Sequence, residues 1–191
     1  MTGLVSVSTG SRNSPPWTGV ILLALAGLAY EVLLTRLFAI IQWHHFAYMI
    51  ISLALLGYGA SGALLVYTRE RWSAWPRFYF ALNAIAFGLS SVVVFLLAQQ
   101  IDFNPFELAW GWSQFARLAL VYFLLMLPFL FVANALGLAL VAYPGKENRI
   151  YSADLLGAGA GGLVIIAMLF VLAPMQALLL VGLVGCLAGV S

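Results

Sequence analysis

Glu31, Arg36 and Asp154 are ionisable residues that lie inside long apolar runs of the sequence. An ionisable side chain near the centre of a bilayer costs at least ~2.5–3.5 kcal/mol to insert, so such residues are usually paired or functional. A carboxylate in that position attracts a cation or a proton. The favoured interpretation is a structural polar cluster that fixes the helix register, and for Asp154 the dipole at the first turn of a helix adds to it. The alternative is a functional polar site between helices, in which Glu31 attracts the cation or proton.

The partners of Glu31 and Arg36 follow from helical geometry. Five positions at about 100° per residue place the two side chains about 140° apart, so they do not share a face. Residues three or four apart do meet, which makes Thr35 the better neighbour for Glu31 within the helix. Arg36 is expected to find an acceptor on another helix or among backbone carbonyls.

His44 and His45 follow Trp43 in a short turn between the first two apolar runs. Imidazoles are common ligands of metals and haem. Adjacent histidines cannot both approach one axial position, however, and the sequence offers no second set of ligands. We therefore expect no metal site and no cofactor.

The segment from Gly57 to Gly62, GYGASG, matches the dinucleotide-binding pattern G-x-G-x-x-G. That pattern binds nucleotides only between a strand and a helix, whereas here it lies inside an apolar run. Small residues in such a run let two membrane helices approach closely. The sequence therefore predicts helix packing at Gly57, Gly59, Gly62, Gly157, Gly159 and Gly161.

The composition excludes a soluble protein. Hydrophobic residues make up 64% of the 191 residues, charged residues only 7%, and the mean hydropathy is +1.07. Soluble domains carry roughly 25% charged residues. Continuous apolar runs favour helices over the alternating strands of a membrane barrel. The net charge of +2 gives no indication of nucleic-acid binding.

Six segments are long enough to span a bilayer, which takes about 20 apolar residues. We expect an all-α, polytopic bundle over residues 17–191, preceded by a disordered cytoplasmic segment at 1–16. The stretch 100–112 is expected to be an interfacial loop with an aromatic belt. The predicted spans are 17–42, 46–68, 77–99, 114–142, 151–172 and 174–191.

The orientation follows from the basic residues of the short loops, which favour the cytoplasmic side. With the N-terminus inside, that side collects most of them, and an even number of spans returns the C-terminus to the cytoplasm. We expect a multi-pass protein of a bacterial inner membrane. The inner basic residues are Arg12, Arg69, Arg71, Arg77, Lys146 and Arg149.

Three blocks of the sequence carry a family resemblance. They read GLAYEVLLTRLFAI at 27–40, LALLGYGASGALL at 53–65 and RIYSADLLGAGAGGL at 149–163. In this order and spacing they resemble the N-terminal membrane domain of spermidine-synthase-like membrane proteins, also described as fused transporter/spermidine synthases. The resemblance implies a polyamine context and a cytoplasmic aminopropyltransferase domain after the helices. It transfers no catalytic residue to this chain, and we expect the parent sequence to continue beyond Ser191.

The segments LLGYGASG, from Leu55, and LLGAGAGG, from Leu155, are identical at six of eight positions. They lie on the second and fifth predicted helices, which are the middle helices of two triplets that run in opposite directions. That arrangement is expected of an inverted-topology repeat, which many transporters contain.

Three functions remain open. The chain is expected to be a membrane module that anchors or serves an aminopropyltransferase domain. It could instead be a transporter, or half of one, for an organic cation such as a polyamine, or an accessory subunit of a larger membrane complex. In none of these does the chain alone act as an enzyme.

Overall fold

The computed structural model describes residues 14–41, 45–100 and 112–191, with side chains from 14–39, 48–100 and 114–191. These residues form six α-helices and no strand. The all-α bundle predicted from the sequence is confirmed. The histidine pair and the loop at 100–112 fall outside the described side chains, except for Gln100. The helices are α1 (Trp17–Ile41), α2 (His45–Ser73), α3 (Pro76–Gln99), α4 (Trp112–Ala142), α5 (Glu147–Met168) and α6 (Pro174–Val190).

Five of these helices, α1 to α5, are long and apolar enough to cross a membrane, and α6 is a shorter apolar helix of 17 residues. Spans range from about 17 to 25 residues, so α6 lies at the lower limit. The chain is a multi-pass helical membrane protein.

Proline and glycine set the ends of the helices. Pro76 and Pro174 are the first residues of α3 and α6, where the missing N–H costs no hydrogen bond. The turn between α4 and α5 contains Gly145 at φ +83°, a left-handed conformation that glycine adopts without steric cost.

The fifth helix begins earlier than the sequence suggested, at Glu147 rather than residue 151. The polar residues of its first turn favoured a loop, yet they are tolerated at the end of a membrane helix because that end lies in the interface. Asp154 consequently lies two turns inside α5 and not in its first turn. The helix dipole, whose effect is confined to the first turn, does not account for this carboxylate.

The first helix is the centre of the bundle. It packs most extensively on α5, and also on α6, α2 and α4, while α2 packs on α4, and α3 packs on both α4 and α6. Tyr30 of α1 is fully buried, with its ring 5.9 Å from that of Phe87 on α3 and 5.3 Å from that of Phe129 on α4. By contrast, much of α2 and α5 is exposed on the outside of the bundle.

The glycines predicted to pack divide into two groups. Gly57, Gly157 and Gly161 are buried at close contacts between helices, where an added Cβ would meet the backbone of α4 or α1. Gly59, Gly62 and Gly159 make no such contact within the described part of the chain, where an added Cβ would meet nothing within 4 Å, so packing at these three positions stays a prediction. Residues four apart share a helix face, which leaves these three glycines on other faces.

Candidate functional site

Glu31 points toward a gap between α5 and the pair formed by α2 and α4. One turn earlier on α1, Leu28 contacts α5 near Gly162, and Gly27 faces Val132 on α4. At about 100° per residue the direction of Glu31 falls between those two neighbours. Its side chain is half-buried. The carboxylate therefore lies at the edge of the core and not inside it.

Asp154 lies on the same side of the bundle. Residues 150, 153, 157 and 161 form the buried face of α5 against α1, and Asp154 is next to that face, half-buried. It belongs to the row that continues, at four-residue intervals, to Ala158 and Gly162. Gly162 is the glycine that approaches Leu28, so this row borders the gap into which Glu31 points.

Tyr58 of α2 connects the two carboxylates. Both Glu31 and Asp154 interact electrostatically with its hydroxyl group. The ring packs edge-on against Phe129, with centroids 6.5 Å apart, and 38% of the residue is exposed. The ring therefore packs on α4 at a partly exposed position of α2. Sequence reasoning missed Tyr58, because it was taken only as part of a glycine motif.

We call this region the α2–α5 groove and define it by Leu28, Glu31, Tyr58, Asp154 and Gly162. Among the described residues α2 and α5 make at most marginal contact with each other, although both pack on α1. The groove is bordered by half-buried residues on α1 and α5.

The polar groups are arranged along the groove and do not converge on one point. Gly157 packs against Ile21 and Gly161 against Leu25, so Asp154 lies nearer to the end of the bundle where α1 and α5 begin than Glu31 does. Tyr58 is within electrostatic reach of both. Such a series suits a cation that is elongated, or one that moves from one carboxylate to the next.

Thr35 contributes indirectly to this arrangement. Its hydroxyl donates a 2.8 Å hydrogen bond to the backbone carbonyl of Glu31 and not to the carboxylate. A Thr or Ser bond to the carbonyl four residues earlier occupies the hydroxyl locally. The Glu31 carboxylate is therefore left available to a ligand.

Arg36 is exposed, on a different face of α1 from Glu31. Within the described residues no hydrogen bond or ion pair is found for it, so the expected acceptor on another helix is not present there. A long basic side chain toward the end of a membrane helix can extend to the interface. Arg36 does not belong to the α2–α5 groove.

The mid-helix amides behave differently from each other. Asn134 on α4 accepts a hydrogen bond from Ser61 on α2, as expected for an interhelical bond. Asn83 instead donates to the carbonyl of Tyr79 in its own helix. No group of three or more metal-ligating side chains occurs in the described part of the chain.

Comparisons of the chain with protein-family models, curated proteins and solved structures found no match. The resemblance to spermidine-synthase-like membrane proteins therefore stays a prediction. The groove must be interpreted from its own chemistry, which consists of two carboxylates and a phenol in an apolar bundle.

Proposed function

We propose that this protein binds an organic cation in the α2–α5 groove. The observation that carries the proposal is that Glu31 on α1 and Asp154 on α5, two half-buried carboxylates in an apolar bundle, lie on the same side of it as Tyr58 on α2. Three helices contribute one polar group each to a single groove. An ammonium group gains charge-assisted hydrogen bonds from carboxylates, and these are stronger than neutral ones.

The spacing of the carboxylates supports a ligand with more than one positive charge. Because Glu31 and Asp154 are at different levels of the bundle, a compact monovalent cation would engage one of them at a time. A linear polyamine carries amines separated by methylene segments, and those segments suit the apolar parts of the groove. The sequence resemblance supports the same ligand class, and we take spermidine as the probe.

In this proposal the chain is the membrane module of a spermidine-synthase-like protein of a bacterial inner membrane. It anchors or serves a cytoplasmic aminopropyltransferase domain by holding the substrate or product of that domain in the membrane. The chain itself performs no group transfer.

Spermidine binding can be measured with purified protein in lipid nanodiscs by isothermal titration calorimetry or with radiolabelled ligand. The variants are Glu31→Gln and Asp154→Asn, which remove charge with little change of shape. The matched control is Glu70→Gln, because Glu70 is exposed near the end of α2 and lies outside the groove. We expect at least a tenfold loss of affinity for Glu31→Gln and a smaller loss for Asp154→Asn.

Equal affinities for the wild type, Glu31→Gln and Glu70→Gln would show that spermidine binds elsewhere. An absence of spermidine binding to the wild type, in protein that keeps its helical circular-dichroism spectrum, would overturn the polyamine proposal.

A further inference from the structure

The helix contacts of the bundle fall into equivalent pairs. When α1 is exchanged with α4, α2 with α5 and α3 with α6, the extensive α1–α5 contact corresponds to the equally extensive α2–α4 contact. The α3–α4 contact corresponds in the same way to α1–α6, and α3–α6 corresponds to itself. This is the pattern that a two-fold relationship between helices 1–3 and helices 4–6 would produce.

The glycines of the repeated sequence segments take equivalent positions. A Cβ added at Gly57 would lie 3.1 Å from the carbonyl oxygen of Met126 on α4, and one added at Gly157 would lie 2.5 Å from that of Ile21 on α1. Each glycine thus packs the middle helix of one half against the first helix of the other half.

The first helices of the two halves define where an axis would pass. The two repeat glycines contact Met126 and Ile21, so these residues are equivalent, and they are 105 positions apart. Val132 follows Gly27 by the same interval. Gly27 and Val132 are therefore equivalent residues, and they contact each other, since a Cβ added at Gly27 would lie 3.0 Å from Val132 Cγ2. Equivalent residues meet in this way only at a two-fold axis.

The third helices agree with this axis. Both begin with a proline, Pro76 or Pro174. Aligned on these prolines, Gly88 corresponds to Cys186, and a Cβ added at Gly88 would lie 2.7 Å from the backbone nitrogen of Cys186. That mutual contact is also what a two-fold relationship requires.

We propose that the bundle consists of two inverted repeats and that it carries its cation across the membrane by alternating access. Each half has three helices, so the second half crosses the membrane in the direction opposite to the first. Carriers with this architecture bind their substrate near the midplane, at the repeat interface. Glu31 lies one turn from the axis contact at Gly27. The inference rests on the proposed cation site and adds transport to binding.

The two halves differ in how the first helix packs on the second, and this difference indicates which helices move during transport. α1 and α2 pack against each other more extensively than α4 and α5 do. The α4–α5 turn borders a cavity of about 370 Å³ lined by Ala142, Tyr143, Pro144 and Lys146.

Exchanging the conformations of the two halves produces the second state. In it α5 closes on α4 and α2 opens away from α1. The α2–α5 groove lies between the two helices that move, so Glu31 and Asp154 would be exposed first to one side of the membrane and then to the other. The contact at Gly27 and Val132 stays fixed, because it lies on the axis.

Cysteine accessibility tests this exchange. In a Cys186→Ala background, which removes the single cysteine of the chain, Leu53→Cys on α2 and Ala153→Cys on α5 are equivalent buried positions. Their labelling rates with a charged methanethiosulfonate are measured in nanodiscs with and without spermidine at one fixed pH, because the reactive thiolate fraction of every cysteine changes with pH. The controls are Ser73→Cys at the end of α2 and Ala173→Cys directly before α6, which are exposed at the helix ends.

We expect spermidine to change the two buried rates in opposite directions, each several-fold, and to leave the control rates unchanged. Wild-type proteoliposomes should also accumulate labelled spermidine by counterflow. Buried rates that spermidine changes in the same direction, or does not change, would overturn alternating access. The calorimetric binding assay decides the proposed function separately, so bound spermidine with unchanged labelling would refute the carrier and leave the binding site intact.

Discussion

The hydroxyl of Ser61 on α2 donates a 2.7 Å hydrogen bond to the Oδ1 of Asn134 on α4, and both residues are almost completely buried. The bond lies one turn from the Gly57 contact, so a polar interaction and a close backbone approach reinforce the same interface. In a membrane the apolar faces of helices gain little from leaving lipid, and packing together with such bonds sets which helices associate.

Replacing Ser61 by Ala should lower the stability of the bundle by about 1 kcal/mol, within the range measured for interhelical bonds in membranes. Ser152→Ala is the matched control, because Ser152 is exposed and its hydroxyl bonds only to a carbonyl of its own helix. Unfolding by SDS titration measures both variants. A double-mutant cycle with Asn134→Ala should show coupling, and additive effects would mean that the bond contributes nothing.

Gly157 and Gly159 provide a test of helix packing with the same substitution. Gly157→Ala should destabilise the protein by about 1–3 kcal/mol, the usual cost of overpacking, because the new Cβ would meet the backbone carbonyl of Ile21 at 2.5 Å. Gly159→Ala should be neutral or stabilising by up to about 1 kcal/mol, since alanine is the better helix former and that position is open. Thermal unfolding in detergent distinguishes them. Equal melting temperatures would contradict the α1–α5 interface.

These glycines also show how far the sequence could be interpreted. The apolar runs and their proline breaks predict the helices well, since length and polarity alone decide whether a segment spans lipid. Which glycine packs depends on where the neighbouring helix lies, and GYGASG contains small residues on several faces. Gly57 and Gly59 are therefore indistinguishable in sequence, although one is buried and the other open.

The polar residues of the α2–α5 groove could likewise be predicted only in part from the sequence. Glu31 and Asp154 are conspicuous in sequence because charge is rare in apolar runs, yet nothing in the sequence indicates that they share a neighbour. The position of Tyr58 depends on how α2 packs. Its residue type gives no signal by itself, because aromatic residues are common in membrane helices. A start of α5 at Glu147 could have been inferred from the Pro144-Gly145 turn, which leaves little room for a loop.

Tyr58→Phe tests the contribution of the Tyr58 hydroxyl to the proposed site. We expect spermidine affinity to fall about 3- to 10-fold, as expected for the loss of one hydrogen bond of 0.5–1.5 kcal/mol, with no change in stability because the ring keeps its contact with Phe129. Tyr48→Phe is the control, since Tyr48 is 72% exposed on the same helix. Calorimetric titration in nanodiscs gives the affinities. Similar affinities for both variants would remove Tyr58 from the site.

The orientation inferred from the basic loops can be tested with two cysteines. In the Cys186→Ala background, Ser73→Cys lies at the end of α2 and Ala173→Cys lies directly before α6. With the N-terminus in the cytoplasm, an impermeant maleimide applied to intact cells should label Ala173→Cys and spare Ser73→Cys until the membrane is opened. The reverse pattern would invert the assignment of every loop.

A disulfide between Gly27→Cys and Val132→Cys tests the contact at the proposed axis. A Cβ added at Gly27 would lie 3.9 Å from the Cβ of Val132, which falls within the usual range of about 3.5–4.5 Å for a disulfide. In the Cys186→Ala background we expect the bond to form under mild oxidation, as seen by a mobility shift that reductant reverses. Because the axis does not move during the exchange of the two halves, the cross-linked protein should keep both spermidine binding and counterflow. Failure to oxidise would contradict the α1–α4 contact, whereas cross-linked protein that binds spermidine but no longer transports it would show that α1 and α4 separate during transport.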